Sequence, residues 1–111
     1  MDVATFPSSW LKGFLELGVL AVIGRGETYG YEITLSLAEA GFGTVKGGTL
    51  YPILGRLEDA GLVETQWRAG DSGPGRKYYR LTGAGHTELA ARTATWHSFA
   101  TNLTDLLKEP S

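Results

Sequence analysis

Residues 76–80, Arg-Lys-Tyr-Tyr-Arg, interleave three cations with two phenol rings. Guanidinium and ammonium groups on an extended strand offer charge-assisted donors to phosphate oxygens. Strand alternation places Lys77 and Tyr79 on one face and Tyr78 and Arg80 on the other, with one tyrosine packing inward and the second flanking phosphate. A second stretch, GGTLYPILGRLEDAGLV at 47–63, sets Leu50, Ile53, Leu54, Leu57 and Ala60 on one helical stripe. Pro52 fits this helix if Thr49 is its N-cap, because first-turn N–H groups have no internal partner. Gly61 is the matching stop. The opposite face then holds Pro52, Gly55, Arg56 and Asp59, slim enough to enter a groove, and the free N–H groups suit a phosphate. Arg56 either joins that surface or pairs with a nearby carboxylate.

Catalysis has little to work with. His86 and His97 stand eleven apart, there is no cysteine, and no spacing of acids or histidines matches a metal site. The glycines of GRGETYG and GTVKGG do not follow a strand as a phosphate loop would. No enzyme activity, cofactor or metal is expected. Net charge is -2, but its distribution is uneven. Lys46, Arg56, Arg68, Arg76, Lys77 and Arg80 give residues 44–80 a surplus of +2, whereas residues 1–43 carry -3. The cations are concentrated where a phosphate-facing surface needs them.

The chain has 111 residues, 42% hydrophobic and 20% charged, which fits one folded domain. MDVATFPSSW has no basic region followed by an apolar run, and FLELGVLAVIG is short and broken by Glu16. A soluble cytoplasmic protein without a membrane span is the expectation. A first helix is predicted over about 9–23, capped by Ser8 or Ser9 after Pro7. It is apolar on nearly all sides, which calls for a second subunit against one face, with a central core helix in a monomer as the alternative. YGYEITLSLAEAGFG reads as a second helix ended by Gly41. LVETQW and RKYYRLT read as a hairpin with RAGDSGPG at its tip. Thr82 then caps a long helix to about Lys108, with Leu89, Trp96, Phe99, Leu103, Leu106 and Leu107 on its apolar side. The predicted fold is mainly α with a small β-hairpin, a winged helix-turn-helix plus one long C-terminal dimerisation helix.

YGYEI, GTLYPILGRLEDAGLV and GPGRKYYRLTGAG together resemble the PadR family of bacterial transcriptional regulators. They cover about residues 29–85 in the family's order and spacing. The resemblance implies a homodimeric repressor, with each last helix packed on the partner's first helix, on a near-palindromic double-stranded DNA operator. It divides the chain into a winged-helix DNA-binding domain, residues 1–83, and a C-terminal dimerisation helix, residues 84–111. By position it assigns Lys46, Thr49 and Tyr51 to the recognition-helix entrance, Tyr29 to the start of the second helix, and Arg76 and Lys77 to the wing. The single long final helix points to the short branch of the family, and HTELAARTATWHSF is similar to its multidrug-binding members. That implies a planar aromatic ligand against Trp96, with Glu16, Leu17, Leu20 and Phe99 lining the site. Plain dimer-core packing of Trp96 is the alternative, and an open pocket with Glu16 in it favours flat cations. A winged helix that binds protein rather than DNA is the rival reading, supported by the negative net charge and opposed by the basic hairpin.

Overall fold

Pro7 opens the first helix, its carbonyl accepting the Trp10 and Leu11 N–H groups at 2.9 and 3.1 Å. This helix, α1, runs Ser8–Gly24, one residue beyond the predicted span at each end. The computed structural model describes residues 6–70 and 73–110. Asp71 and Ser72, placed by the sequence at the hairpin tip, lie outside the described residues. After α1 come β1 (Thr28–Tyr29), α2 (Gly30–Leu37), α3 (Gly47–Asp59), β2 (Val63–Arg68), β3 (Arg76–Leu81) and α4 (Gly83–Leu107). The three strands form one antiparallel sheet in the order β1-β3-β2. Tyr29 faces Tyr78 on one side of β3, and Trp67 faces Lys77 on the other.

The core gathers one stripe from each of the first three helices. Val19, Leu20 and Ile23 of α1, Ile33 and Leu37 of α2, and Leu50, Ile53, Leu54 and Leu57 of α3 meet Val63, Tyr79 and Leu81 of the sheet. Tyr79 is thus the inward tyrosine. Burial of these side chains is what holds α2 and α3, of 8 and 13 residues, since helices under about 12–15 residues are marginal in water by themselves.

Further boundaries differ from the sequence reading, beginning with the N-cap of α1, which is Pro7 rather than Ser8 or Ser9. The second helix does not stop at Gly41. It widens into a π-helical turn over Ala38–Phe42, where Gly41 takes a φ of 96°, and the chain leaves at Gly43. The third helix starts earlier, at Gly47, with Lys46 rather than Thr49 as N-cap. The Lys46 carbonyl accepts both the Thr49 and Leu50 N–H groups at 2.9 Å, which draws the two glycines into the first turn. Pro52 consequently stands in the second turn and forfeits the hydrogen bond its nitrogen would make to the Gly48 carbonyl. Gly48 is exposed, so water can satisfy that oxygen. Ala60 is exposed at the C-cap instead of joining the apolar stripe.

The predicted stop at Gly61 takes a φ of 74°. Gly61 N–H bonds the Glu58 carbonyl and Leu62 N–H the Leu57 carbonyl, both at 3.0 Å, the paired closure of a Schellman turn. The same two residues receive the next cap. Leu62 carbonyl accepts Thr82 N–H at 3.0 Å, and Gly61 carbonyl accepts the Thr82 hydroxyl at 2.7 Å. Thr82 in turn accepts Gly85 N–H and starts α4. Gly85 is pressed against the Leu62 carbonyl, where a Cβ would overlap it.

Beyond Leu89, α4 leaves the core. Trp96, Phe99, Leu103, Leu106 and Leu107 are exposed, Leu106 at 81%, and on α1 Trp10 and Phe14 are exposed as well. The chain measures 62 × 35 × 21 Å with a radius of gyration of 16.0 Å, against about 13 Å for a compact domain of this length. No helix among the described residues is long and apolar enough to cross a membrane.

Candidate nucleic-acid interface and the groove between the first and last helices

The basic hairpin stands beside the N-terminal half of α3, and a cleft of about 580 Å³ opens between them. Tyr29, Tyr31, Tyr51, Trp67, Arg76 and Lys77 line it. Tyr51 leans from α3 over the first residue of α2. A Cβ at Gly30 would come within 2.5 Å of the Tyr51 hydroxyl, so the glycine in YGYEI makes room for that phenol. Arg76 is exposed and lies 4.5 Å over the Tyr29 ring, which itself meets Tyr78 edge-on at 5.4 Å. The Tyr78 side chain, chiefly, and Tyr29 beside it raise the Arg76 pKa above its ordinary value. The exposed guanidinium is a standing charge at the cleft mouth, suited to a phosphate.

The other hairpin cations are turned inward or paired. Lys77 Nζ lies 3.2 Å from the Glu58 carboxylate of α3, which also accepts the Thr65 hydroxyl at 3.1 Å. Arg80 pairs with Glu64 across the strands at 2.6 Å. Tyr78, the second tyrosine, is half-buried beneath Arg68 rather than open to a phosphate, and Arg68 pairs with Glu27 at 2.5 Å. Lys46 and Thr49 lie on the opposite flank of the α3 N-terminus, in a separate groove shared with Lys12 of α1. The structure therefore brings Tyr29, Tyr51, Arg76 and Lys77 together and leaves Lys46 and Thr49 around the corner of the same helix end.

A second groove, about 600 Å³, runs between α1 and α4. Glu16, Leu17, Trp96 and Phe99 line it as the sequence suggested, joined by Phe14 and Arg92. Leu20 does not. It is fully buried in the core, one helical turn further along α1 from Glu16. Glu16 is not a free anion either. One oxygen accepts Arg92 at 2.6 Å and the other lies 3.5 Å from Arg56 Nε. Arg92 also donates to Glu88 at 2.9 Å, and hydrogen bonds to Glu88 first and Glu16 second raise its pKa. The basis for preferring flat cations is lost, since two arginines already match the carboxylate. Of the two roles open to Arg56, pairing with a carboxylate is the one observed.

The model of the transcriptional regulator PadR-like family matches residues 19–91, which takes in the core, α3 and the hairpin. The chain belongs to the PadR-like family of transcriptional regulators. Its fold is similar to the crystal structure of a PadR-like regulator from Bacillus cereus, with a TM-score of 0.83 and 37% identity over 93% of this chain and all of that one. A PadR family regulator from Eggerthella lenta matches with a TM-score of 0.81 and 36% identity, covering 92% and 88% of the two chains. In sequence, the transcriptional regulator Rv3488 of Mycobacterium tuberculosis is 39% identical over 78 residues, 70% of this chain and 71% of that protein. The mainly helical architecture with a small antiparallel sheet is the winged-helix fold of these PadR-like neighbours.

Two cleft residues of this PadR-like chain escaped the sequence reading. Tyr31 and Trp67 are exposed at 66% and 68% on opposite walls of the cleft. Their signal was available, as large rings on the polar sides of an amphipathic helix and a hairpin strand. It is a weak signal, because single exposed aromatics are ordinary. The two-residue β1 was equally hidden, since its only sheet partner lies about fifty residues on.

Proposed function

We propose that the chain is a dimeric, sequence-specific DNA-binding repressor on a near-palindromic operator. Residues 1–83 read the DNA and residues 84–111 form the dimerising arm. The observation that carries this reading is the cleft where the exposed flank of α3 meets Arg76 and five aromatic rings. Arg76, Lys46 and Lys12 supply phosphate contacts, Thr49 and Tyr51 face base edges, and Tyr29 positions Arg76. The apolar half of α4, with Trp10 and Phe14 of α1, provides the surface for a second copy.

The test is binding to the upstream region of the protein's own gene, compared with unrelated duplex at several salt concentrations. Specific binding whose logarithm falls linearly with log salt is the expected result. Equal affinity for both duplexes, or none for either, would rule out the repressor.

A second element rests on the groove between α1 and α4. Its size lies within the usual range for small-molecule sites, and Trp96 offers a flat wall beside Leu17 and Phe99. A planar aromatic compound of little net charge is the ligand this lining suits, and its binding releases the operator. Titration of Trp96 emission with planar dyes tests it. Absence of quenching, or quenching unchanged in Trp96→Ala, would remove the ligand.

A further inference from the structure

We infer that Glu16 is the junction through which the α1–α4 groove acts on α3, with Arg56 as the positioning residue that carries the effect; this rests on the groove being a ligand site. Three helices meet at one carboxylate. Glu16 of α1 holds Arg92 of α4 at 2.6 Å and Arg56 of α3 at 3.5 Å. Glu16 and Arg92 line the groove, whereas Arg56 stands on the outward side of α3.

The two grips are unequal. The Arg92 contact is a charge-assisted hydrogen bond between side chains that are both about one-third exposed, and Glu88 braces it. The Arg56 contact is beyond hydrogen-bond geometry for a strong pair, and the arginine is largely exposed. Any rearrangement of the carboxylate therefore loses Arg56 first. A flat ring stacked on Trp96 excludes water from Glu16 and Arg92, and their attraction strengthens as the local dielectric falls. The carboxylate turns toward Arg92 and away from Arg56. The rest of α3 is held through its apolar stripe of Leu50, Ile53, Leu54 and Leu57 and through the Glu58 contacts to the hairpin, and the Arg56 contact is its polar brace to α1. Without that brace α3 is positioned less tightly, and operator affinity falls. By linkage, operator binding weakens the ligand by the same factor. Because exposed ion pairs are weak, the coupling is about two- to five-fold, not orders of magnitude.

The experiment uses the full chain, a duplex that the protein selects from random sequence, and 7-amino-4-methylcoumarin, a neutral planar dye. Dye affinity is read from the anisotropy of the coumarin's own emission with and without saturating duplex, and duplex affinity with and without saturating dye. The wild-type protein is expected to show the same two- to five-fold loss in both directions. Arg56→Met is expected to bind dye normally and to bring the coupling factor to one, and Arg56→Lys to restore most of it. Glu16→Gln provides a second route to the same loss of coupling. Undiminished coupling in Arg56→Met and Glu16→Gln, or no coupling in the wild type, overturns the junction while leaving the groove a ligand site. Failure of the dye to bind the wild type overturns both.

Discussion

Lys77 Nζ lies 3.2 Å from Glu58, so the hairpin and α3 are joined by the very cation that sequence position assigns to DNA. Its neighbour Arg76 points the other way, exposed and seated on Tyr29. The two adjacent cations should separate in experiment. Arg76→Ala is expected to weaken binding to operator and unrelated duplex alike, and to lower the salt slope by about one. Lys77→Ala should leave the slope nearly unchanged. A loss of slope from Lys77→Ala equal to that from Arg76→Ala would contradict this division.

Two glycine substitutions should move stability in opposite directions. A methyl at Gly85 meets the Leu62 carbonyl, and Gly85→Ala is expected to cost about 1–3 kcal/mol, seen as a lower denaturant midpoint. At Gly55, within α3, a Cβ meets nothing within 4 Å. Gly55→Ala should stabilise by about 0.5–1 kcal/mol and yet weaken operator binding, because it thickens the slim face of α3. Unchanged operator affinity in that variant would show that α3 does not approach DNA with this face.

Much of this arrangement is legible in the sequence. The i, i+3, i+4 spacing of Leu50, Ile53, Leu54 and Leu57, the Gly61 stop and the Thr82 cap are local signals, and each is written within a few residues. The start of α3 was misread for an equally local reason. Gly47 and Gly48 are poor helix formers, by about 1 kcal/mol each relative to alanine, and burial of Leu50 outweighs that deficit. The Glu16 junction had no signal at all. Arg92 is 76 residues away, and nothing in the spacing of charges along a chain identifies a pair made by tertiary packing.

Alkaline pH should destabilise the protein through Tyr79. Burial raises the phenol's pKa above its ordinary value of 10.0, so the folded state keeps a proton that the unfolded chain releases. Its contribution is fully present below about pH 10 and is lost as pH rises through the higher folded-state value. Urea titrations between pH 9 and pH 11 should show stability declining more steeply in the wild type than in Tyr79→Phe. Parallel declines would assign the effect elsewhere.

The far end of α4 offers the cleanest test of self-association. Leu106 is almost fully exposed in the single chain, so Leu106→Glu should change monomer stability by less than about 0.5 kcal/mol. In sedimentation at micromolar concentration the wild type is expected as a dimer and this variant as a shifted or dissociated species. A wild-type monomer under those conditions would remove the dimer altogether.

The turn at Gly61 and Leu62 closes α3 and, through Thr82, opens α4. Four hydrogen bonds thus tie the end of α3 to the start of α4 directly, although the hairpin lies between them in sequence. In a paired molecule the crossing of the two α4 arms then dictates how far apart the two α3 helices stand. Such a molecule is a caliper. On the proposed reading, what it measures first along a duplex is a distance, about 34–36 Å for half-sites one turn apart, ahead of base identity.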